Sequence, residues 1–168
     1  RYALTQQVPA VPDVRYRVAM DLRSPQTTRV LVLVCERHLL YTGDCQYRHL
    51  VRRGKDPQLW ERVEFDLLGP PITGGPAWAP RLVSLMLTVG SPGAAIDIDN
   101  VRLSAGGSQD LLANGGFDSG LAHWYPAVRS YFLPWHIDNL YLETLIERGA
   151  VGLLALAVLV AMALWHLV

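Results

Sequence analysis

One imidazole, His136, stands in the stretch LPWHIDNLYLETLIERG, just ahead of a long uncharged run. Imidazole takes up or releases a proton near neutral pH, so at that place it would serve as base or acid for a substrate arriving at a lipid surface. Pro134 and Trp135 stand directly before it and a helical pattern follows, which would fix its position. By position alone, a histidine that merely starts a helix satisfies the same text. Arg129 is the only cation between the loose stretch upstream and that helix. Its guanidinium would either grip a phosphate bidentately or stay solvated among headgroups. Trp124, Tyr125, Tyr131, Trp135 and Tyr141 supply the amphipathic rings that collect at membrane interfaces, and such rings also stack on sugars. His123 is a weaker candidate, as is His166, which falls near the far end of the apolar run.

A second set of residues lies upstream. Cys35 and Cys45 flank the turn-prone Thr42-Gly43-Asp44, a bend that would bring them together. A disulfide is expected if the chain lies in an oxidising compartment; two separate buried thiols are the alternative. No further ligand has zinc-site spacing, so no metal site is expected there. Asp97, Asp99 and Asn100 in DIDN offer oxygen ligands for a structural calcium near Asp99, and no other cofactor is implied. Trp60, Trp78, Tyr41 and Tyr47 are candidates for a sugar-stacking platform. Trp60 opens an alternating strand and so also reads as core, whereas Trp78 in the loop GGPAWAP is divided evenly between packing and ligand stacking.

The elements that must position these side chains follow from periodicity. The stretches RYRVAMDLRS, RVLVLVCER, WERVEFDLL, RLVSLMLTVG and AAIDIDNVRLS are short runs separated by turn chemistry such as SPQTT, TGD and GPPITGGPAWAP. Tyr16, Val18 and Met20 alternate onto one face, and Val63, Phe65 and Leu67 do the same. Short strands at this spacing read as an all-β sandwich or barrel, and an antiparallel β-sandwich is expected over residues 1–104. Residues 105–135, rich in Gly, Asn, Asp and Ser and then in aromatics and Pro, read as a linker and aromatic segment. Residues 136–168 read as an amphipathic turn and a helix approaching the ~20 residues that cross a bilayer. Among 168 residues, 15 Lys+Arg balance 15 Asp+Glu, which argues against a nucleic-acid partner. The opening RYALTQQVPAV has no secretory h-region and reads as the middle of a β element, so a piece of a longer protein is expected.

Two resemblances join these observations. YALTQQVPAVPDVRYRVAMDLRS, WERVEFDL and AIDIDNVRLS resemble the opening, middle and closing strands of jelly-roll-like carbohydrate-binding modules. The first strand, and with it the carboxylate that would complete a calcium site, is missing. LLANGGFDSGLAHW and LPWHIDNLYLETLIERGAVGLL resemble the last periplasmic segment and following membrane helix of bacterial O-antigen ligase and polymerase family proteins. In that family a histidine precedes the pattern N-L-x-L-x-x-L-x-E-x-G-x-x-G-L. His136, Asn139, Leu140, Leu142, Leu145, Glu147, Gly149, Gly152 and Leu153 follow it in order.

The resemblance implies a mainly β, jelly-roll-like sandwich in the periplasm, followed by a helix spanning the bacterial inner membrane. It also implies transfer of a glycan from a lipid-pyrophosphate carrier to an acceptor. His136 would be catalytic; Arg129, Trp135, Asn139 and Trp78 would bind substrate; the partners would be lipid-linked glycan, polysaccharide and membrane lipid. The competing expectation is a non-catalytic sandwich that binds carbohydrate or protein and is merely tethered by the helix. A tether does not need WHIDNLYLETLIERG and usually ends in Lys or Arg on the cytoplasmic side; none follows Arg148.

Overall fold

The structure, a computed structural model, describes residues 2–38, 41–54, 58–91, 93–107, 109–128 and 140–167. Eight strands are described: β1 (Tyr2–Val8), β2 (Tyr16–Arg23), β3 (Thr28–His38), β4 (Tyr41–Arg52), β5 (Glu61–Asp66), β6 (Leu82–Val89), β7 (Asp97–Ala105) and β8 (Tyr125–Val128). One helix is described after them, α1 (Leu140–Leu167). The strands form one five-stranded sheet in the order β4-β3-β6-β1-β8 and one three-stranded sheet in the order β5-β2-β7. Every pairing is antiparallel. The protein is therefore mainly β, with the two sheets packed as a sandwich.

The core follows from period-two alternation. Tyr16, Val18, Met20 and Leu22 of β2 are buried, as are Val30, Val32 and Val34 of β3 and Val83, Leu85 and Leu87 of β6. They meet Val101 and Leu103 of β7 in one cluster, with Val63 and Phe65 of β5 packed against it. Burying each such side chain contributes roughly 1.5–3 kcal/mol. The opposite face of the five-stranded sheet carries a smaller buried group of Leu31, Leu33, Cys35 and Met86. Gln46 of β4 stitches the layers: its Oε1 accepts from Tyr16 N at 3.0 Å, and its Nε2 donates to Val14 O at 2.9 Å and Pro70 O at 3.2 Å.

The boundary expected at residue 104 is corrected. The chain divides into two units, Arg1–Tyr131 and Phe132–Val168, so most of the expected linker belongs to the sandwich. Its apolar side chains explain why. Leu111, Leu112 and Phe117 pack against the core, and Trp124 is buried with its ring stacked 5.3 Å from Phe117. The Gln6 side chain brackets Ala113, donating to its carbonyl at 2.8 Å and accepting from its N–H at 2.7 Å. β8 then pairs with β1 and forms one edge of the larger sheet. Glycine and asparagine in this stretch mark turns rather than a break in packing.

In the second unit, α1 holds an 18-residue stretch, Arg148–Trp165, long and apolar enough to cross a membrane and with none of it buried. At 1.5 Å per residue it is about 27 Å long, close to the ~30 Å hydrocarbon layer. The helix is broken at Gly149, with φ 66° and ψ −172°, a conformation open essentially to glycine alone.

Candidate functional site

The long connection between β5 and β6 is built from its base upward. Leu67 and Ile72 are fully buried and seat its first half. Leu68 and Tyr47 exchange backbone hydrogen bonds at 2.8 and 3.0 Å, which ties it to β4. Its second half is held by Glu36 of β3. The Glu36 side chain has no exposure, and its carboxylate pairs with Arg81. It also accepts from Thr73 N at 3.3 Å and Gly74 N at 3.1 Å. Arg81 N in turn donates to Gly74 O at 2.7 Å. Gly75 takes φ 77°, and a Cβ there would sit 2.6 Å from the Ala79 carbonyl oxygen, so the loop can close only around glycine.

This closed loop presents Trp78 with 87% of its surface exposed. Ala79 N donates to Pro76 O at 2.9 Å and makes the turn that carries it. An indole on a loop this well anchored loses little conformational freedom when something stacks on it, which is how aromatic anchors gain affinity. Packing and ligand stacking were both open for Trp78 from sequence; its exposure excludes core packing.

The platform expected from Trp60, Trp78, Tyr41 and Tyr47 does not assemble as one surface. Tyr47 is bridged to Leu68 just past the far end of β5. Trp60 immediately precedes the near end, with the Arg23 guanidinium 4.6 Å above its ring. Six residues of strand separate the two ends, roughly 20 Å. Trp60 is 39% exposed and is not a core residue. Tyr41 opens β4.

Cys35 and Cys45 are directly opposed on β3 and β4 and are joined by a disulfide, with Cα atoms 4.1 Å apart. At the expected calcium position, Arg23 donates to the Asp97 carboxylate at 2.9 Å and Asp99 accepts from Asn100 N at 2.7 Å. A cation there would have to displace a guanidinium. Among the described residues no three His, Cys, Asp or Glu side chains are grouped to hold a metal. His123 sits exposed on a turn with φ 70°. His136, Arg129, Trp135 and Asn139 lie outside the described residues.

No protein-family model, curated protein or solved structure matches this chain.

Sequence reasoning passed over Glu36 and Arg52. A signal for both was present. Val30, Val32 and Val34 put Glu36 at the next inward position of β3, and Gln46 and Leu50 do the same for Arg52 on β4. A charged residue at an inward position must find a partner.

Proposed function

We propose that this chain belongs to a glycan ligase or polymerase of the bacterial inner membrane. It would supply a periplasmic β-sandwich and the membrane segment that follows. A lipid-pyrophosphate-linked glycan is the donor, His136 serves as acid or base at the membrane surface, and Trp78 stacks on the polysaccharide. The observation that carries this function is the break at Gly149. Charged residues Glu143, Glu147 and Arg148 precede it and none follows through Trp165. A turn of helix that can lie in the interface thus changes direction where an uncharged helix begins. The same glycine is part of the pattern that His136 precedes. Two further facts support the setting. Val151, Leu154, Val158 and Leu159 expose large apolar surfaces that water does not tolerate in such number. The Cys35–Cys45 disulfide suits an oxidising compartment.

In the full-length protein, His136→Ala should lower glycan transfer about 10²–10⁴-fold, while abundance and membrane insertion stay normal. His123→Ala, on its exposed turn, should leave transfer near the parental rate. Trp78→Ala should weaken polysaccharide binding and leave folding stability within about 0.5 kcal/mol. Transfer at the parental rate by His136→Ala would remove the catalytic role and leave a tethered binding module.

A further inference from the structure

At one end the sandwich core is left unfilled. β1 contributes Leu4, β6 Leu87 and Val89, β7 Ile98, and the turns before β8 add Phe117 and Leu121, so that a cavity of about 620 Å³ is walled in. Leu87 is buried, whereas Leu4, Ile98 and Phe117 pack on the core with one side and stay only partly buried. Leu121 is 60% exposed. Topology explains the gap: β7 is the edge of the three-stranded sheet, so among the described residues no further strand of that sheet covers β1. The space lies within the range of roughly 300–1,000 Å³ that small-molecule sites occupy.

Its lining selects the kind of molecule. Asp97 is the one charged side chain there, and Arg23 already donates to its carboxylate from Nε and Nη2, both at 2.9 Å. The other lining side chains offer no donor or acceptor. Sugar hydroxyls brought here would lose water with almost nothing in exchange, while a hydrocarbon gains by leaving water. Position supplies the source. The cavity lies at the start of β1, where Tyr2 pairs with Val128, the last residue of β8. Residues 129–139 alone separate Val128 from Leu140 of α1, a reach of about 40 Å at most. With α1 in a bilayer, this end of the sandwich stays within reach of lipid. The Trp78 loop lies past the other end of β1, where Gly74 approaches Ala10, roughly 20 Å away. We propose that the cavity takes the acyl chain of a bilayer phospholipid. The chain enters past Leu121 and lies against Leu87, Ile98 and Phe117, and the Arg23–Asp97 pair presents no net charge to the headgroup. The site rests on the membrane setting proposed above and not on His136 or Trp78.

The test uses the full-length protein in vesicles of phosphatidylethanolamine and phosphatidylglycerol, doped with a phospholipid whose acyl chain carries a diazirine. After irradiation, adducts are mapped by peptide mass spectrometry, and the uncharged stretch of α1 reports insertion in the same sample. Adducts are expected on that stretch and on the cavity residues, well above those on the Trp78 loop. Leu121→Asp puts a charge at an exposed rim position that folding tolerates, and should lower the cavity adducts about tenfold while those on α1 stay. Ile98→Trp fills the cavity from β7 and should do the same. Adducts on α1 with none in the cavity would overturn the assignment, as would cavity adducts unchanged in Leu121→Asp. Equal labelling of the Trp78 loop would also overturn it, since that marks surface collision. An unlabelled α1 would instead remove the membrane setting, and this site with it.

Discussion

Glu36, wholly buried in β3, meets Arg81, the residue just before β6, and so closes the base of the loop that carries Trp78. The carboxylate has four protein contacts, counting the Thr73 hydroxyl at 3.5 Å. Exposure of Trp78 is thus a consequence of a charge placed inside the sandwich.

Removing one member of such a pair leaves an uncompensated charge in the interior. Arg81→Met should destabilise the sandwich by about 3 kcal/mol, the low end for a buried pair, because the Arg81 side chain keeps 35% exposure. Replacing both Glu36 and Arg81 should cost less than the sum of the single changes, since each alone already breaks the pair. Urea unfolding of the four proteins of this cycle measures it, and strict additivity would show that the pair does not couple.

The Cys35–Cys45 bridge closes a loop with a sequence separation of 10. Shortening the freedom of the unfolded chain over that loop stabilises by about 2–3 kcal/mol. Cys35→Ala/Cys45→Ala should lower the unfolding free energy by that amount, and reducing agent should destabilise the parent but not the variant. An equal response of both proteins to reductant would sink this account.

Tyr16 predicts a loss of stability in alkali. Burial pushes its hydroxyl above the ordinary phenol value, opposed in part by its hydrogen bond with Val11. Below about pH 10, the ordinary tyrosine value, the ring is neutral whether folded or unfolded and the fold keeps its full stability. Above that, the unfolded chain gives up the proton first, so stability falls as pH rises toward the folded value. Denaturant midpoints taken across the alkaline range should fall less steeply for Tyr16→Phe than for the parent. Identical slopes would place the alkaline loss elsewhere.

Gly149 predicts a change of direction in α1. Its φ of 66° with ψ of −172° strains any L side chain, at roughly 1–3 kcal/mol. Gly149→Ala in the membrane-inserted protein should therefore favour a continuous helix. Spin labels at positions 141 and 162 should move apart relative to the parent. An unchanged distance would mean that the surrounding membrane protein, not glycine, sets the break.

Much of this was legible in the residues. Alternation in YRVAMDL and RVEFDL gave strands and their inward faces, because a strand's side chains alternate with a period that no packing alters. The uncharged run after Arg148 announced a membrane-length helix for an equally local reason: length and lack of charge need no partner to be counted. Opposed cysteines around a tight turn were likewise local. Residues 105–124 misled because Gly, Asn and Asp report turns, and turns do not reveal whether Leu111, Phe117 and Trp124 between them find a core. That depended on sheets brought together from distant sequence. The same holds for Glu36 and Arg52. Their inward positions could be counted along β3 and β4, but their partners lie in other elements: Arg81 and Thr73 follow Glu36 by 45 and 37 residues. Tertiary structure alone decided that Glu36 is satisfied and anchors a loop, while Nε and Nη2 of Arg52 are buried without a hydrogen-bond partner, because hydrogen-bond satisfaction is a property of the assembled interior and not of the strand.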